Sequence, residues 1–387
     1  MKVIHVITGT DFGGGEMMLF RYLRALGPVA RTHAVVSIMP CGPVADLIRD
    51  LGVPVTSLMV ARGEWSPSGW MRLRRLIRAE RPDLVHGWMY HANFAAFAAL
   101  AGGDLGRTAL VWSIHHSLYD IAQEKFSTRM VLRLSARFSA AADLITNCSA
   151  LSQDQHRAYG FRAERGMVIP NAIDVSEFRR DGAAKARLAA LCGFPPERFI
   201  VGNVGRSHPM KDHETLVRAV ADLVSAGRDV QAVLVGSGQP EGAARRMADG
   251  LGIGDRVTTL EARMDIPAIV AGFDVFLLSS AWGETFSLAV TEAMASEVPC
   301  VVTDVGDCPS VVGDCGLVVP RGDALAQSAA IAQMMDTTEA ARRDLGRRAR
   351  ARVTEMFSME RYVALSDDAH GRARASLALR SGVLLTV

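Results

Sequence analysis

Short runs of apolar, mostly β-branched residues recur along the chain, and each is followed by a longer stretch with apolar positions every three or four residues. The first runs are KVIHVIT, THAVVSI, DLVHGW and ALVWSIHH; the stretches among them are EMMLFRYLRAL, VADLIRDLG, MRLRRLIRAE and NFAAFAALAG. A short continuous apolar run is a strand covered on both faces, whereas the wider spacing lays one face of a helix on a core. Their alternation predicts βαβ units and a parallel sheet. The rhythm restarts at FIVGNVG, with QAVLVGSG, DVFLLSS, PCVVTD and GLVVP as further strands. The fold class expected is therefore α/β, with two doubly wound, Rossmann-like domains in succession. GMVIPNAIDVSEF, with the turn formers Pro170 and Asn171, is the expected hinge.

Ligands of such sheets sit beyond the carboxyl ends of the strands. Gly13–Gly15, His115, Arg206, Gly236–Gly238 and the Ser279–Ser287 loop all follow strand patterns. They line one cleft if the two domains face each other.

Composition narrows the class. A chain of 387 residues exceeds one ordinary core, and 49% hydrophobic with 22% charged residues fits a soluble globular protein. No apolar run reaches the roughly 18 to 20 residues that cross a bilayer. The start, MKVIHVITG, lacks the features of a signal peptide, so a cytoplasmic location is expected. Six scattered cysteines form no C-x-x-C pair and read as buried or half-buried thiols. The net charge of +2 hides an asymmetry: residues 1–168 carry +6 and the remainder −4. A basic first half points to an anionic partner there, whether a phosphate, a membrane surface or an acidic glycan.

Chemistry concentrates in LLSSAWGETFSLAVTEAMASEVPCVVTDVG. A buried strand runs into a small-residue loop and then a helix expected from about Phe286 to Ala295. Glu284 stands just before its start and Glu292 about two turns on. The amides of Thr285, Phe286 and Ser287 at that helix start suit a phosphate, and a carboxylate further along can accept both protons of a ribose diol. Taken alone, the pair also fits a glutamate facing the helix dipole plus an ordinary surface glutamate.

The segment resembles the Glu-x7-Glu signature of glycosyltransferase family 4, retaining enzymes of the GT-B fold. The resemblance is strongest over about residues 200–325 and looser over 1–175. It implies that Glu284 lies near the donor sugar and that Glu292 binds the nucleotide ribose. It also implies an acceptor-side domain over 1–170, a nucleotide-sugar-binding domain over 171–355, and a helix over about 356–387 that crosses back to the first. PCVVTDVGDCPSVVGDCGLVVPRGD resembles the family's closing segment, with one departure at Glu297, where the family has glycine.

Three more segments fit. In VGNVGRSHPMKDHETLVRAV a strand ends at Gly205, a loop holds Arg206, and Lys211 opens a helix. A departing nucleoside diphosphate gains negative charge, which fixed cations stabilise; the resemblance assigns those contacts to Arg206 and Lys211. In TGTDFGGGEMMLFRYL successive glycines let amides approach an anion. The spacing is not G-x-G-x-x-G, and no acidic residue closes VVSIMP, which disfavours a dinucleotide oxidoreductase. The segment is similar to the family's Gly-Gly loop, which implies donor contacts at Gly14 and Gly15. In LVWSIHHSLYD a histidine at a strand end can bond a sugar hydroxyl or position the acceptor. The family's histidine after this strand matches His115 better than His116, and His86 and His91 are further acceptor-side candidates. No Asp-x-Asp or H-E-x-x-H occurs, so neither a catalytic metal nor a cofactor is expected.

The stretch 70–78 and FSTRMVLRLSARF read as amphipathic basic helices; Arg129, Arg133 and Arg137 fall on one face. Peripheral attachment to the inner face of an anionic membrane is one reading and a solvated face the other. No aromatic-basic interleaving points to nucleic acid. The function expected is a metal-independent, retaining transfer of a sugar from a UDP- or GDP-sugar to a glycan, lipid-linked or other hydroxyl acceptor, in cell-surface polysaccharide or glycoconjugate synthesis. The alternatives are a GT-B nucleotide-sugar epimerase and a non-catalytic nucleotide-sugar-binding subunit.

Overall fold

The computed structural model describes residues 1–64, 66–119, 121 and 126–381. Two compact units emerge: Met1–Ala172 together with the chain from Met359, and Ile173–Ser358.

The N-terminal unit runs β1 (Val3–Ile7), α1 (Gly14–Ala25), β2 (His33–Ser37), α2 (Pro43–Asp50), β3 (Val55–Ser57), α3 (Pro67–Glu80), β4 (Leu84–Trp88), α4 (Met89–Leu100), β5 (Ala109–Ile114), α5 (Phe126–Phe138), β6 (Leu144–Asn147), α6 (Ala150–Tyr159) and β7 (Gly166–Val168). Its sheet has the order β3-β2-β1-β4-β5-β6-β7 with every pairing parallel. β1, β4 and β5 are buried at every position, which is why they read as mainly apolar runs, with the buried His5, His86 and Ser113 as their polar members. Val3 and Ile7 pack with Met18, Leu19 and Tyr22 of α1, whereas Ile4 and Val6 pack with Leu73 and Ile77 of α3 and Ala96 of α4. Side chains alternate across a strand, so one strand supplies both layers of the core.

The C-terminal unit runs α7 (Ala184–Cys192), β8 (Phe199–Val204), α8 (His213–Ser225), β9 (Val230–Val235), α9 (Ala243–Gly250), β10 (Val257–Leu260), α10 (Ile266–Val270), β11 (Val275–Leu278), α11 (Leu288–Ala295), β12 (Cys300–Thr303), α12 (Cys308–Val312), β13 (Gly316–Val319), α13 (Ala324–Asp336) and α14 (Glu339–Phe357). Its sheet order is β10-β9-β8-β11-β12-β13, again all parallel. In both units the order reverses beside the first strand, between β1 and β4 and between β8 and β11. At such a switch point neighbouring loops part and leave a crevice for ligand. The six cysteines are free thiols, four of them buried.

The final helix, α15 (Met359–Ser381), belongs to the N-terminal unit and packs on α1, β5 and β6. Extended Ser358 separates it from α14 and bridges to Ile173, whose amide donates to Phe357 O at 2.9 Å.

Under α15 lies a cluster of four buried imidazoles. His5 Nε2 is 2.9 Å from His33 Nδ1, the Trp88 indole donates to His5 Nδ1 at 3.1 Å, and His370 Nε2 is 3.2 Å from His86 Nδ1. No carboxylate hydrogen-bonds any of the four rings among the described residues. Burial, reinforced by the neighbouring imidazoles, holds His5 and His86 well below the ordinary histidine range; burial takes His33 to about 4 and His370 to about 3. The groups facing the cluster are Tyr22 of α1, Tyr362 of α15 and, by longer-range charge, Asp367 and the N-terminal amine. His86 therefore sits inside a core and not at an acceptor surface, a correction to the sequence reading.

Glu297 adopts φ +61°, the left-handed region that glycine enters freely. A Cβ on Gly346 would lie 2.1 Å from Glu297 O, so α14 presses directly on that turn.

Two outcomes follow. Glu297→Gly is expected to stabilise the protein by about 0.5 kcal/mol in urea unfolding, because relief of left-handed strain outweighs the entropy of the glycine. Glu297→Ala, which keeps the strain, should not. The imidazoles have folded pKa values below the unfolded value of about 6.5, so the unfolded chain binds more protons within that window. Stability is therefore full above about pH 6.5 and falls as pH drops towards the folded values. Calorimetry should show the unfolding midpoint falling from about pH 7 to about pH 4.5, less steeply in His370→Leu; a level midpoint would contradict this.

Candidate active site

The richest constellation of charge lies at the switch point of the C-terminal sheet. After β8 the chain continues beside the loop that follows β9: Gly205 N–H donates to Val235 O at 2.9 Å and Ser207 N–H to Ser237 O at 2.8 Å. Gly236 permits this approach, since a Cβ there would stand 2.2 Å from Gly205 O. A short turn over Pro209–Lys211 follows, with His208 Nδ1 accepting from Met210 N–H. Asp212 then caps α8 from the left-handed region, accepting from the amide and hydroxyl of Thr215. Lys211 thus precedes the cap and does not open the helix.

The loop after β11 clasps this turn. Ser279 Oγ donates to Lys211 O at 2.7 Å and Ala281 N–H to Met210 O at 2.9 Å. Lys211 Nζ donates to Glu284 Oε1 at 2.6 Å, and Ser280 Oγ donates to the same oxygen at 2.6 Å. The pair is nearly dry, with side chains 15% and 7% exposed. Thr303 Oγ1, at the end of β12, donates to Ser280 O. Gly306 brings the next loop so close that a Cβ would stand 1.9 Å from Glu284 O. Glu284 Oε2 has no hydrogen-bond partner among the described residues.

Beneath the pair is a polar bracket that sequence reasoning missed. His213 Nε2 is 2.9 Å from Asn203 Oδ1, His213 Nδ1 is 3.1 Å from Gln239 Nε2, and Asn203 Nδ2 donates to Leu277 O at 2.7 Å. These bonds are all satisfied by a neutral ring protonated on Nε2. Burial, with Lys211 beside it, takes His213 to about 4. The signal was an asparagine inside an otherwise apolar strand.

Arg206 is exposed, and its guanidinium makes no hydrogen bond or ion pair among the described residues. His208 is held below its ordinary range first by burial and then by Arg206 and Lys211. The loop therefore carries a positive field into which an anion fits.

The helix expected from Phe286 starts at Leu288, with Ser287 as its cap. Thr285, Phe286 and Ser287 are buried loop residues ahead of it, and the Phe286 ring meets Phe357 edge-on at 5.1 Å. The amides without intrahelical acceptors are therefore those of Leu288, Ala289 and Val290. Their pattern misled because TFSLAV is apolar and buried throughout. Glu292 is half-buried in the second turn of α11. Cys308 nearby is an inert thiol, pushed well up by burial and by Glu284.

In the N-terminal unit Gly13 caps α1, and Gly14 and Gly15 form its first turn. A Cβ on either would meet nothing within 4 Å, and neither has positive φ. Nothing inside the unit demands glycine there. His115 is half-buried, with its ring stacked on Trp88 at 5.2 Å. Its Nε2 lies 2.8 Å from Ser113 Oγ and its Nδ1 2.8 Å from Asn171 Oδ1, and burial takes it to about 4. Both nitrogens are engaged internally, so the ring offers none to a sugar hydroxyl in this arrangement. His91 is exposed on α4. Among the described residues no group of three or more His, Cys, Asp or Glu is placed to hold a metal ion.

Known proteins match across both units. Residues 191–352 match the family model described as Glycosyl transferases group 1, and residues 12–177 that described as Glycosyltransferase Family 4. The putative glycosyltransferase EpsF of Bacillus subtilis is 27% identical over 78% of this chain and 79% of its own. N-acetyl-alpha-D-glucosaminyl L-malate synthase of Bacillus anthracis is 31% identical over 78% of this chain and 80% of its own. Anabaena HepE, solved in complex with UDP, superposes with a TM-score of 0.82 at 22% identity over 95% of this chain and 99% of that one; it has also been solved with UDP-glucose.

The buried pair yields a direct check. Lys211→Met leaves Glu284 as an unpaired buried charge and should lower the stability of the C-terminal unit by about 3 kcal/mol in urea unfolding. Adding Glu284→Gln should recover much of that loss. Simple addition of the two single effects would show that the residues do not depend on each other.

Proposed function

The chain belongs to glycosyltransferase family 4 and is a transferase of the GT-B fold; from that premise we propose that it moves a sugar, with retention of configuration, from a UDP- or GDP-sugar to a hydroxyl of a glycan, lipid-linked or other acceptor in cell-surface polysaccharide or glycoconjugate synthesis. The observation that carries this reading is the Lys211–Glu284 pair at the switch point, with the unpaired guanidinium of Arg206 on the same loop. HepE, solved with UDP and with UDP-glucose, supports a nucleotide-sugar donor.

The donor diphosphate lies against Arg206, Lys211 and the first-turn amides of α11. As the glycosidic bond breaks, negative charge grows on the leaving phosphate, and fixed cations in a nearly dry site stabilise it without reorganising. Glu284 has one oxygen tied to Lys211 and Ser280, which leaves Oε2 to accept from a hydroxyl of the donor sugar. An ion-paired carboxylate in that position orients the sugar and is not the nucleophile. Glu292 takes the ribose diol, and the loop ahead of α11 (Thr285, Phe286 and Ser287) shapes the donor pocket. The acceptor oxygen attacks on the face from which the diphosphate departs and passes its proton to that phosphate. Gly14 and Gly15 keep the first turn of α1 bare of side chains, so that the amides of this loop can approach an anion. His115, neutral and doubly hydrogen-bonded, is a positioning residue. No helix among the described residues is long and apolar enough to cross a membrane; the basic faces of α3 and α5 fit peripheral attachment to an anionic inner surface.

Calorimetric titration with UDP, GDP, ADP and their sugars tests the donor, and turnover with the sugar nucleotide that binds tests the chemistry. Arg206→Ala should reduce kcat on the order of 10²-fold, because the residue acts on charge that develops in the transition state. Turnover equal to that of the natural protein would remove Arg206 from the reaction and with it the leaving-group argument.

A further inference from the structure

α11, which carries Glu292 and the amides proposed for the donor phosphate, is braced by α14 along its whole length. Gly346, Arg350, Val353 and Phe357 of α14 recur every three or four residues and so share one face. Gly346 meets the turn after α11 at Glu297, and Phe357 meets Phe286 just ahead of it. The two helices therefore run antiparallel, with α14 in contact beyond both ends of α11.

The last four carbonyls of a helix need donors from outside it. In α11 the amides of Ser296, Glu297 and Val298 serve Glu292, Ala293 and Met294. Ala295 O has Arg350 as its donor, and the same guanidinium donates to Phe178 O at 2.7 Å and to Val175 O at 3.0 Å. No carboxylate pairs with Arg350 among the described residues, so its charge faces the negative end of α11. A planar fork on three carbonyls fixes a geometry that the single ammonium of a lysine does not.

Val175 and Phe178 belong to a compact turn in which the amides of Glu177 and Phe178 both donate to Asp174 O. The turn follows Ile173, whose amide is held by Phe357 O. Arg350 and Phe357, about two turns apart on α14, thus hold both α11 and the segment where the chain enters the C-terminal unit. Arg342 offers a contrast on the same helix. It donates to Met334 O and Thr337 O at the end of α13 and hydrogen-bonds neither segment.

We infer that Arg350 is a positioning residue of the transfer: it sets where α11 stands, and with it the first-turn amides and Glu292, and it ties that position to the segment Ile173–Phe178. The inference rests on the nucleotide-sugar reading above, which gives α14 no part.

The test compares the natural full chain with Arg350→Met, Arg350→Lys and Arg342→Met. UDP and GDP are titrated by calorimetry, and the one that binds is used throughout, as the diphosphate and as its sugar nucleotide. Arg350→Met should weaken the diphosphate about tenfold and lower kcat at least about tenfold, because small displacements of positioned groups slow a reaction steeply. Arg350→Lys should fall between this variant and the natural protein. Arg342→Met should lower the thermal midpoint and leave affinity and kcat unchanged. Hydrogen exchange over Ile173–Phe178 should slow when the diphosphate saturates the natural protein, and should not respond in Arg350→Met.

Natural affinity and turnover in a folded Arg350→Met would reduce the residue to a helix cap and overturn the proposal. So would an equal loss in Arg342→Met, the mark of general loosening, or exchange over the segment that ignores the diphosphate in the natural protein. If Arg350→Met does not fold, Arg350→Lys decides by the same criteria. Failure of both diphosphates to bind the natural protein would sink the donor reading and this role together; binding of one, unaltered by the substitution, sinks the role alone.

Discussion

A lysine and a glutamate, both nearly out of water, hold each other at the point where the C-terminal sheet reverses its order, and the surrounding loops are shaped by that contact. Desolvating two charges costs several kcal/mol each, and only close geometry with extra hydrogen bonds offsets it. Ser280 supplies one such bond to Glu284, and Ser279 fixes the backbone of Lys211. Gly236 and Gly306 let neighbouring loops come close enough to shut water out. Asn203, His213 and Gln239 provide a neutral floor; a protonated ring there would repel Lys211. The pair also explains why Arg206 can stay exposed: the buried charges already balance, and the surplus positive charge faces the side from which an anion arrives.

Much of this fold was legible because its central strands are covered on both faces and are therefore mainly apolar. The strands that escaped notice are those under weaker pressure. β3, β7 and β10 lie at sheet edges, with sequences VTS, GMV and VTTL, and β6 ends in the polar pair Thr146-Asn147. The site shows the same limit. Lys211, Glu284 and Arg206 were named from sequence, but not that two of them neutralise each other, because a contact over 73 positions leaves no local trace. The start of α11 was misplaced because Thr285, Phe286 and Ser287 are buried for loop packing, and burial alone looks like helix periodicity. His115 was named as a partner for ligand, whereas Ser113 and Asn171 occupy its nitrogens; sequence cannot tell a histidine that faces a ligand from one that braces a strand end.

Glu297 is the one departure from the family's closing segment, which has glycine at that position. Its positive φ gives the departure a physical meaning: the turn has kept the backbone geometry that glycine permits, held by α14 pressing on it, and tolerates a side chain at a local cost.

The membership of α15 in the first unit has a consequence for how the molecule is made. Residues 5, 33 and 86 leave the ribosome early, yet the helix that brings His370 and Tyr362 to cover them is synthesised after the whole of the second unit. The uninterrupted stretch Ile173–Ser358 can therefore complete its core during translation, while the unit begun first must wait with an apolar, histidine-rich flank uncovered. Its exposure to chaperones and proteases is set by the time needed to translate the intervening residues, and shortening the chain at its far end injures the beginning of the protein.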